Sequence, residues 1–312
     1  MRLTLATATA AALLTIANVC CAQLGEGPFT MDMVRTSLPV EGAPLAEKGP
    51  YEVTSEPAFG SPGHVILHPA SLDAFPKKDT LPVVVWGNGG CALDSGMFGG
   101  YLKTIASHGY LVVTTASPQG ANPNRATVDD LKAALDWSQA EATRQGSPLA
   151  GKIDKAHVAV MGVSCGGFLT IGLSADPRVS TIGVFNSGVQ PPAAGGGANP
   201  GGGGAAFPTT DALAKIHTPT LYLNGGEPDF MMATSKANFD AINNVPIFYG
   251  SRANAGHSAT YFHPGGGEFA NVTVAWLDWQ LKGNKKASQM FVGDKCGLCT
   301  NPNWETHSKR LK

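Results

Sequence analysis

Charge is scarce in this chain of 312 residues: Asp, Glu, Lys and Arg make up 14%, and the net charge is −1 at pH 7. There is no basic face to neutralise phosphates and no polybasic run to hold anionic lipid, which excludes nucleic acid and charged membrane surfaces as partners. The expected partner is a small or weakly charged molecule. An apolar run long enough to cross a bilayer is missing too. The N-terminal MRLTLATATAAALLTIANVCCAQ has Arg2, an apolar stretch from Leu3 to Val19, and small residues ending in Cys20-Cys21-Ala22. It falls short of the ~20 apolar residues that a span needs. Residues 1–22 read instead as a secretory signal, so the mature chain is expected to be secreted or periplasmic, without stable membrane insertion. No internal repeat of solenoid period occurs. Cysteine is sparse: six in all, two of them in the signal. The remaining Cys91, Cys165, Cys296 and Cys299 allow three pairings, in a compartment where disulfides persist.

Glycine, by contrast, is abundant, at 39 residues, and it punctuates a regular alternation of elements. Residues 23–48 carry scattered Pro and Gly without a period and read as an extended arm. Tyr51–Ser55 and His64–His68 are short alternating runs separated by Gly60-Ser61-Pro62-Gly63, the pattern of an antiparallel hairpin. Leu81–Trp86 is an uninterrupted apolar strand of the kind covered on both faces. Further strands are read at Leu111–Ala116, His157–Val163, Thr181–Asn186, Thr218–Asn224 and Val245–Tyr249. Helical spacing runs from Met97 to His108, from Val128 to Ala142, from Cys165 onward, and from Phe269 to Leu281. This order predicts an α/β domain over residues 49–284, a mainly parallel twisted sheet of about eight strands with helices on both faces. Its active residues belong at the carboxyl ends of the strands. Residues 191–207, centred on GGGANPGGGG, cannot pack a core and read as a loop. Residues 285–312 read as a tail carrying a CxxC pair.

The stretch that carries chemistry is HVAVMGVSCGG, residues 157–167. A buried strand enters Gly162-Val163-Ser164-Cys165-Gly166, and a helix follows, which is the form of a nucleophile elbow. Ser164 must occupy a strained backbone region for its hydroxyl to stand clear of the sheet, and only Gly two residues away on each side leaves room for that turn. A serine hydroxyl is a poor nucleophile until a base takes its proton, and the base needs a carboxylate to hold its tautomer. In this arrangement the acid and then the base follow the serine along the chain. After the strand TPTLYLN comes Gly225-Gly226-Glu227-Pro228-Asp229. Asp229 is favoured as the acid because Pro228 turns the chain sharply, and Glu227 is the alternative. After VPIFY comes Asn254-Ala255-Gly256-His257-Ser258, which makes His257 the base. His108 ends a helix and His157 begins a strand, while His64, His68, His217, His263 and His307 read as structural or solvated. The oxyanion hole is assigned to the backbone amides of Cys165 and of Gly90, in the glycine-rich turn after LPVVVW. Free imidazole titrates near ~6.5, so activity is expected to rise from acid toward neutral pH. Ser258, Tyr261 and Phe262 are expected to shape the pocket together with the 191–207 loop.

These residues resemble the serine α/β-hydrolases, and within them the branch of cutinase-like polyester hydrolases, platelet-activating-factor acetylhydrolases and dienelactone hydrolases. The similarity is carried by Gly49-Pro50-Tyr51, PVVVWGNGG, Ala106-Ser107-His108-Gly109-Tyr110, VAVMGVSCGG, GGEPD and NAGHS, and runs from about residue 49 to 282. It implies the α/β-hydrolase fold, with Ser164, Asp229 and His257 as the triad and the Gly90 and Cys165 amides as oxyanion donors. It also implies that Cys91 and Cys165, each at or beside an oxyanion donor, lie close enough to pair, which leaves Cys296 with Cys299. The sequence departs from polyester hydrolases in three places. Gly90 stands where they carry an aromatic residue, Val163 where they carry Trp, and Cys165 where they carry Met, which removes a stacking surface.

The function these features imply is a secreted serine hydrolase acting on carboxylic esters, small or polymeric, through an acyl-enzyme. A silent binding protein on the same fold is one alternative, although it has no need to keep every catalytic residue type. A peptidase or acyltransferase using the same triad is another. Cys296-Gly-Leu-Cys299 lacks the partner pair that a zinc site needs, so neither metal nor cofactor is expected.

Overall fold

The computed structural model describes residues 40–116, 125–192 and 207–312. The signal, most of the arm and nearly all of the glycine-rich loop lie outside them. Nine strands form one sheet: β1 (Val53–Pro57), β2 (His64–Pro69), β3 (Leu81–Gly87), β4 (Leu111–Thr115), β5 (Ile153–Val163), β6 (Thr181–Phe185), β7 (Thr220–Asn224), β8 (Ile247–Arg252) and β9 (Trp304–Lys309). Their order is β1-β2-β4-β3-β5-β6-β7-β8-β9. From β4 through β8 the pairing is parallel, and β1, β2 and β9 add antiparallel edges.

Among the described residues five α-helices cover the sheet: α1 (Gly99–Ser107), α2 (Val128–Glu141), α3 (Cys165–Leu173), α4 (Met232–Ala241) and α5 (Gly267–Lys282). Side chains alternate across a strand with period two, so adjacent residues of one apolar run feed opposite cores. Val83 and Val85 of β3 join Leu131 and Leu135 of α2, Leu169 and Ile171 of α3 and Phe239 of α4. Val84 and Trp86 join Tyr101 and Ile105 of α1 and Phe269 and Trp276 of α5 on the other face. This two-sided burial is why β3 could be read directly from LPVVVW. The parallel pairing of β5, β6, β7 and β8 places their carboxyl ends side by side.

The segment read as a tail departs from its expectation. Residues 304–309 add β9 to the edge of the sheet, running antiparallel to β8 from Ile247↔Lys309 to Arg252↔Trp304. Only Trp304 in this strand is buried, so no apolar alternation marks it. Its anchors are polar and distant. Trp304 Nε1 donates to Glu268 Oε1 at 2.7 Å, beside the buried Arg252–Glu268 ion pair at 2.8 Å. Lys309 Nζ donates to the carbonyls of Phe239 (2.6 Å) and Ile242 (2.8 Å) at the end of α4. A cation there satisfies carbonyls that the helix leaves unpaired and complements its dipole. Helix α4 likewise carries no clear apolar period, because only Ser235, Asn238 and Phe239 of it are buried.

Candidate active site

Ser164 lies between β5 and α3 with φ 54° and ψ −119°, a conformation L-residues rarely adopt. The surroundings impose it. Its amide donates to Phe185 O of β6 at 2.8 Å, and its carbonyl accepts from Ser187 Oγ at 2.6 Å. A Cβ on Gly166 would collide with the carbonyl of Gly87 at the end of β3, so the first turn of α3 presses directly against that strand. The glycine spacing in the sequence is thus a packing requirement.

The acid and base loops meet in the same way. Gly256 N donates to Gly225 O at 2.8 Å, and a side chain on Gly225 would occupy the space of the Gly256 carbonyl. This close seam between the loops after β7 and β8 brings His257 over Asp229. His257 Nδ1 is 2.8 Å from Asp229 Oδ1, and Nε2 is 2.9 Å from Ser164 Oγ. An ionised carboxylate only accepts hydrogen bonds, so the hydrogen sits on Nδ1 and Nε2 is free to accept from the serine hydroxyl. Glu227, the other acidic candidate, is exposed. Gly226, at φ 75°, directs the chain so that Asp229, three residues later, turns inward.

Asp229 is buried. Burial acts to raise its carboxyl pKa, but the hydrogen bond and charge of His257, with the amides of Met231 and Gly225, outweigh it and hold the group below the ordinary carboxylate range. Met231 N reaches Oδ1 at 3.0 Å and Gly225 N reaches Oδ2 at 3.2 Å. Asn186, at the end of β6, contributes a further donor that its place in the sequence does not announce. Its Nδ2 donates to Asp229 Oδ2 at 2.8 Å and to Gly256 O at 3.2 Å, while its Oδ1 accepts from the Tyr261 hydroxyl at 2.9 Å. The polar residue closing the apolar run TIGVF, next to the elbow strand, was the available signal. Tyr261 itself is 2% exposed. It stands behind the triad and forms no pocket wall, which corrects its expected place. Phe262 is half-buried and packs on Phe98, with ring centroids 5.7 Å apart.

The turn after β3 comprises Gly89–Cys91, with Gly90 at φ 66°. Cys91 and Cys165 are disulfide-bonded across a sequence separation of 74, tying this turn to the start of α3. Cys296 and Cys299 form a second, local disulfide. Closing so long a loop restricts the unfolded chain, typically by 2–4 kcal/mol. The paired substitution Cys91→Ala and Cys165→Ala is therefore expected to lower the unfolding free energy by about that amount. Urea unfolding checks it, and overlapping curves would deny the bond any bracing role.

Among the described residues no group of three or more His, Cys, Asp or Glu side chains could hold a metal ion. Among the same residues no helix is long and apolar enough to cross a membrane.

The mainly parallel sheet with its strand–serine–helix elbow defines an α/β-hydrolase fold. Over residues 34–182 the chain matches the model of the PETase family, described as PET hydrolase-like, and there it is similar to the polyester-hydrolase branch of that fold. The match supports a hydrolase acting on esters. It takes in the β3 turn and Ser164 and ends within β6, before Asp229 and His257. No curated protein matches the chain.

Proposed function

We propose that the protein is a secreted serine hydrolase that cleaves carboxylic esters through an acyl-enzyme. The observation that carries this reading is the unbroken series Ser164 Oγ–His257–Asp229, with both contacts under 3 Å and the serine on a strained elbow. His257 Nε2 takes the proton as Ser164 Oγ attacks the ester carbonyl carbon. Asp229 holds the imidazole tautomer and stabilises the imidazolium. The carbonyl oxygen becomes an oxyanion, received by the amides of Gly90 and Cys165. Collapse breaks the bond to the alcohol oxygen, which leaves with the proton from His257. Water, deprotonated by the same imidazole, then attacks the acyl carbon; the bond to Ser164 Oγ breaks, that oxygen takes the proton back from His257, and the acid is released.

Secretion is supported by the leader pattern and by two disulfides, which persist in oxidising compartments. The PET hydrolase-like match is a reason to try polyesters beside small esters as substrates. A fluorophosphonate probe is expected to label the intact protein at one site, with the adduct on the peptide containing Ser164. Absence of labelling, or an adduct on another residue, would sink the reading. A panel of esters of graded chain length, with a polyester film included, then orders the substrates.

A further inference from the structure

Phe230 follows Asp229 directly, yet its side chain faces outward and is 63% exposed. Its ring lies against the imidazole of His257, with centroids 4.0 Å apart and planes inclined at 31°. One face of the candidate base is therefore covered by an aromatic ring that is otherwise open to solvent. A singly exposed apolar side chain is ordinary; what sets this one apart is its contact with the candidate base, which leaves its open face beside the place where a substrate must bind.

The position of this ring relative to the chemistry decides what it touches. During acyl transfer the proton on His257 Nε2 passes to the departing alcohol oxygen, which must come within hydrogen-bond reach of that nitrogen, ~2.6–3.2 Å. The carbons attached to that oxygen then lie beside the imidazole, where Phe230 stands. The acyl portion stays bonded to Ser164, with its carbonyl oxygen toward the amides of Gly90, in the turn after β3, and of Cys165, at the start of α3. Resting on the serine-hydrolase reading above, we infer that Phe230 is a specificity-determining residue for the alcohol side of the ester. It favours substrates whose leaving group presents a flat apolar or aromatic surface.

Two-step kinetics separate this from a purely structural role. His257 serves as base in both acylation and deacylation, so a ring that merely steadied the imidazole would affect both steps for every ester. A ring that contacts the alcohol affects acylation alone, because the alcohol has left before water attacks. The experiment compares wild type, Phe230→Ala and Phe230→Tyr on phenyl acetate and ethyl acetate, which share one acetyl-enzyme. Deacylation is read separately from the burst with p-nitrophenyl acetate.

Phe230→Ala is expected to lower kcat/KM for phenyl acetate by about three- to tenfold, the size of one aromatic contact. For ethyl acetate the change stays under about twofold, and so does the deacylation constant, since neither engages a second flat surface. Phe230→Tyr keeps the stacking face and restores the preference. Equal losses on both esters and on deacylation would overturn the inference, as would no change in any of them. If wild type turned over no ester and took no fluorophosphonate, the hydrolase reading itself would fall, and this inference with it.

Discussion

Ser164→Ala is expected to lower kcat on a p-nitrophenyl short-chain ester by a factor on the order of 10⁶, with the protein still folded. The substitution removes one atom. In the proposed mechanism that oxygen makes the nucleophilic bond and is activated through its contact with His257 Nε2 at 2.9 Å. Nothing else in the elbow changes, because the positive φ at residue 164 is imposed by the Phe185 carbonyl, the Ser187 hydroxyl and the packing of Gly166 on Gly87. Alanine tolerates that backbone no better and little worse than serine. A residual rate of roughly 10³–10⁴ over water is expected from the oxyanion donors and binding. Circular dichroism and thermal unfolding beside the rate measurement separate loss of chemistry from loss of fold. Turnover near the wild-type rate would move the nucleophile elsewhere.

Asp229→Asn is expected to cost about 10⁴ in kcat, whereas Glu227→Gln leaves the rate near wild type. An amide at 229 can donate to Nδ1, which moves the imidazole hydrogen to Nε2 and points it at the serine that should be giving one up. The acid limb of stability should change as well. The folded pKa of Asp229 is depressed, so its contribution is fully present above the ordinary unfolded value of ~3.9 and is lost as pH falls through the lower folded value. Wild type is therefore expected to lose stability in that window below pH ~4, where Asp229→Asn has no such transition to lose. Urea midpoints measured from neutral to acid pH check this. If Glu227→Gln were the variant that lost activity, the acid would be misassigned.

Much of the catalytic plan was legible because it is written in local terms. The elbow requires a strand, glycines two residues on either side of the serine, and a helix, all within a dozen neighbours along the chain. The order of serine, acid and base is a property of strand succession. The strands β3, β4, β6 and β7 announced themselves because both faces of the sheet are covered and their runs are uninterrupted. Where burial is partial the signal faded. The α4 helix hides few residues, and β9 hides only Trp304, so neither has a period to detect.

In the sequence the preference for Asp229 over Glu227 rests on the Pro228 turn alone, because both carboxylates sit in one turn. The seam between Gly225 and Gly256 buries Asp229 against His257 and leaves Glu227 in water, which supports the proposed acid. Asn186 and Tyr261 belong to the same category. Their hydrogen bonds link residues dozens of positions apart, and no spacing rule along the chain describes them. Phe230 could be named from the sequence as an aromatic beside an acid, but its place on the imidazole face depends on the meeting of two loops.

By itself, then, the sequence determined the α/β architecture, the elbow and the succession of its chemistry, since backbone sterics and side-chain periodicity act between near neighbours. Only the tertiary structure decided which carboxylate is buried, which side chains hold it, and which ring covers the base. Those outcomes depend on distances through space that become defined once the loops at the strand ends pack together.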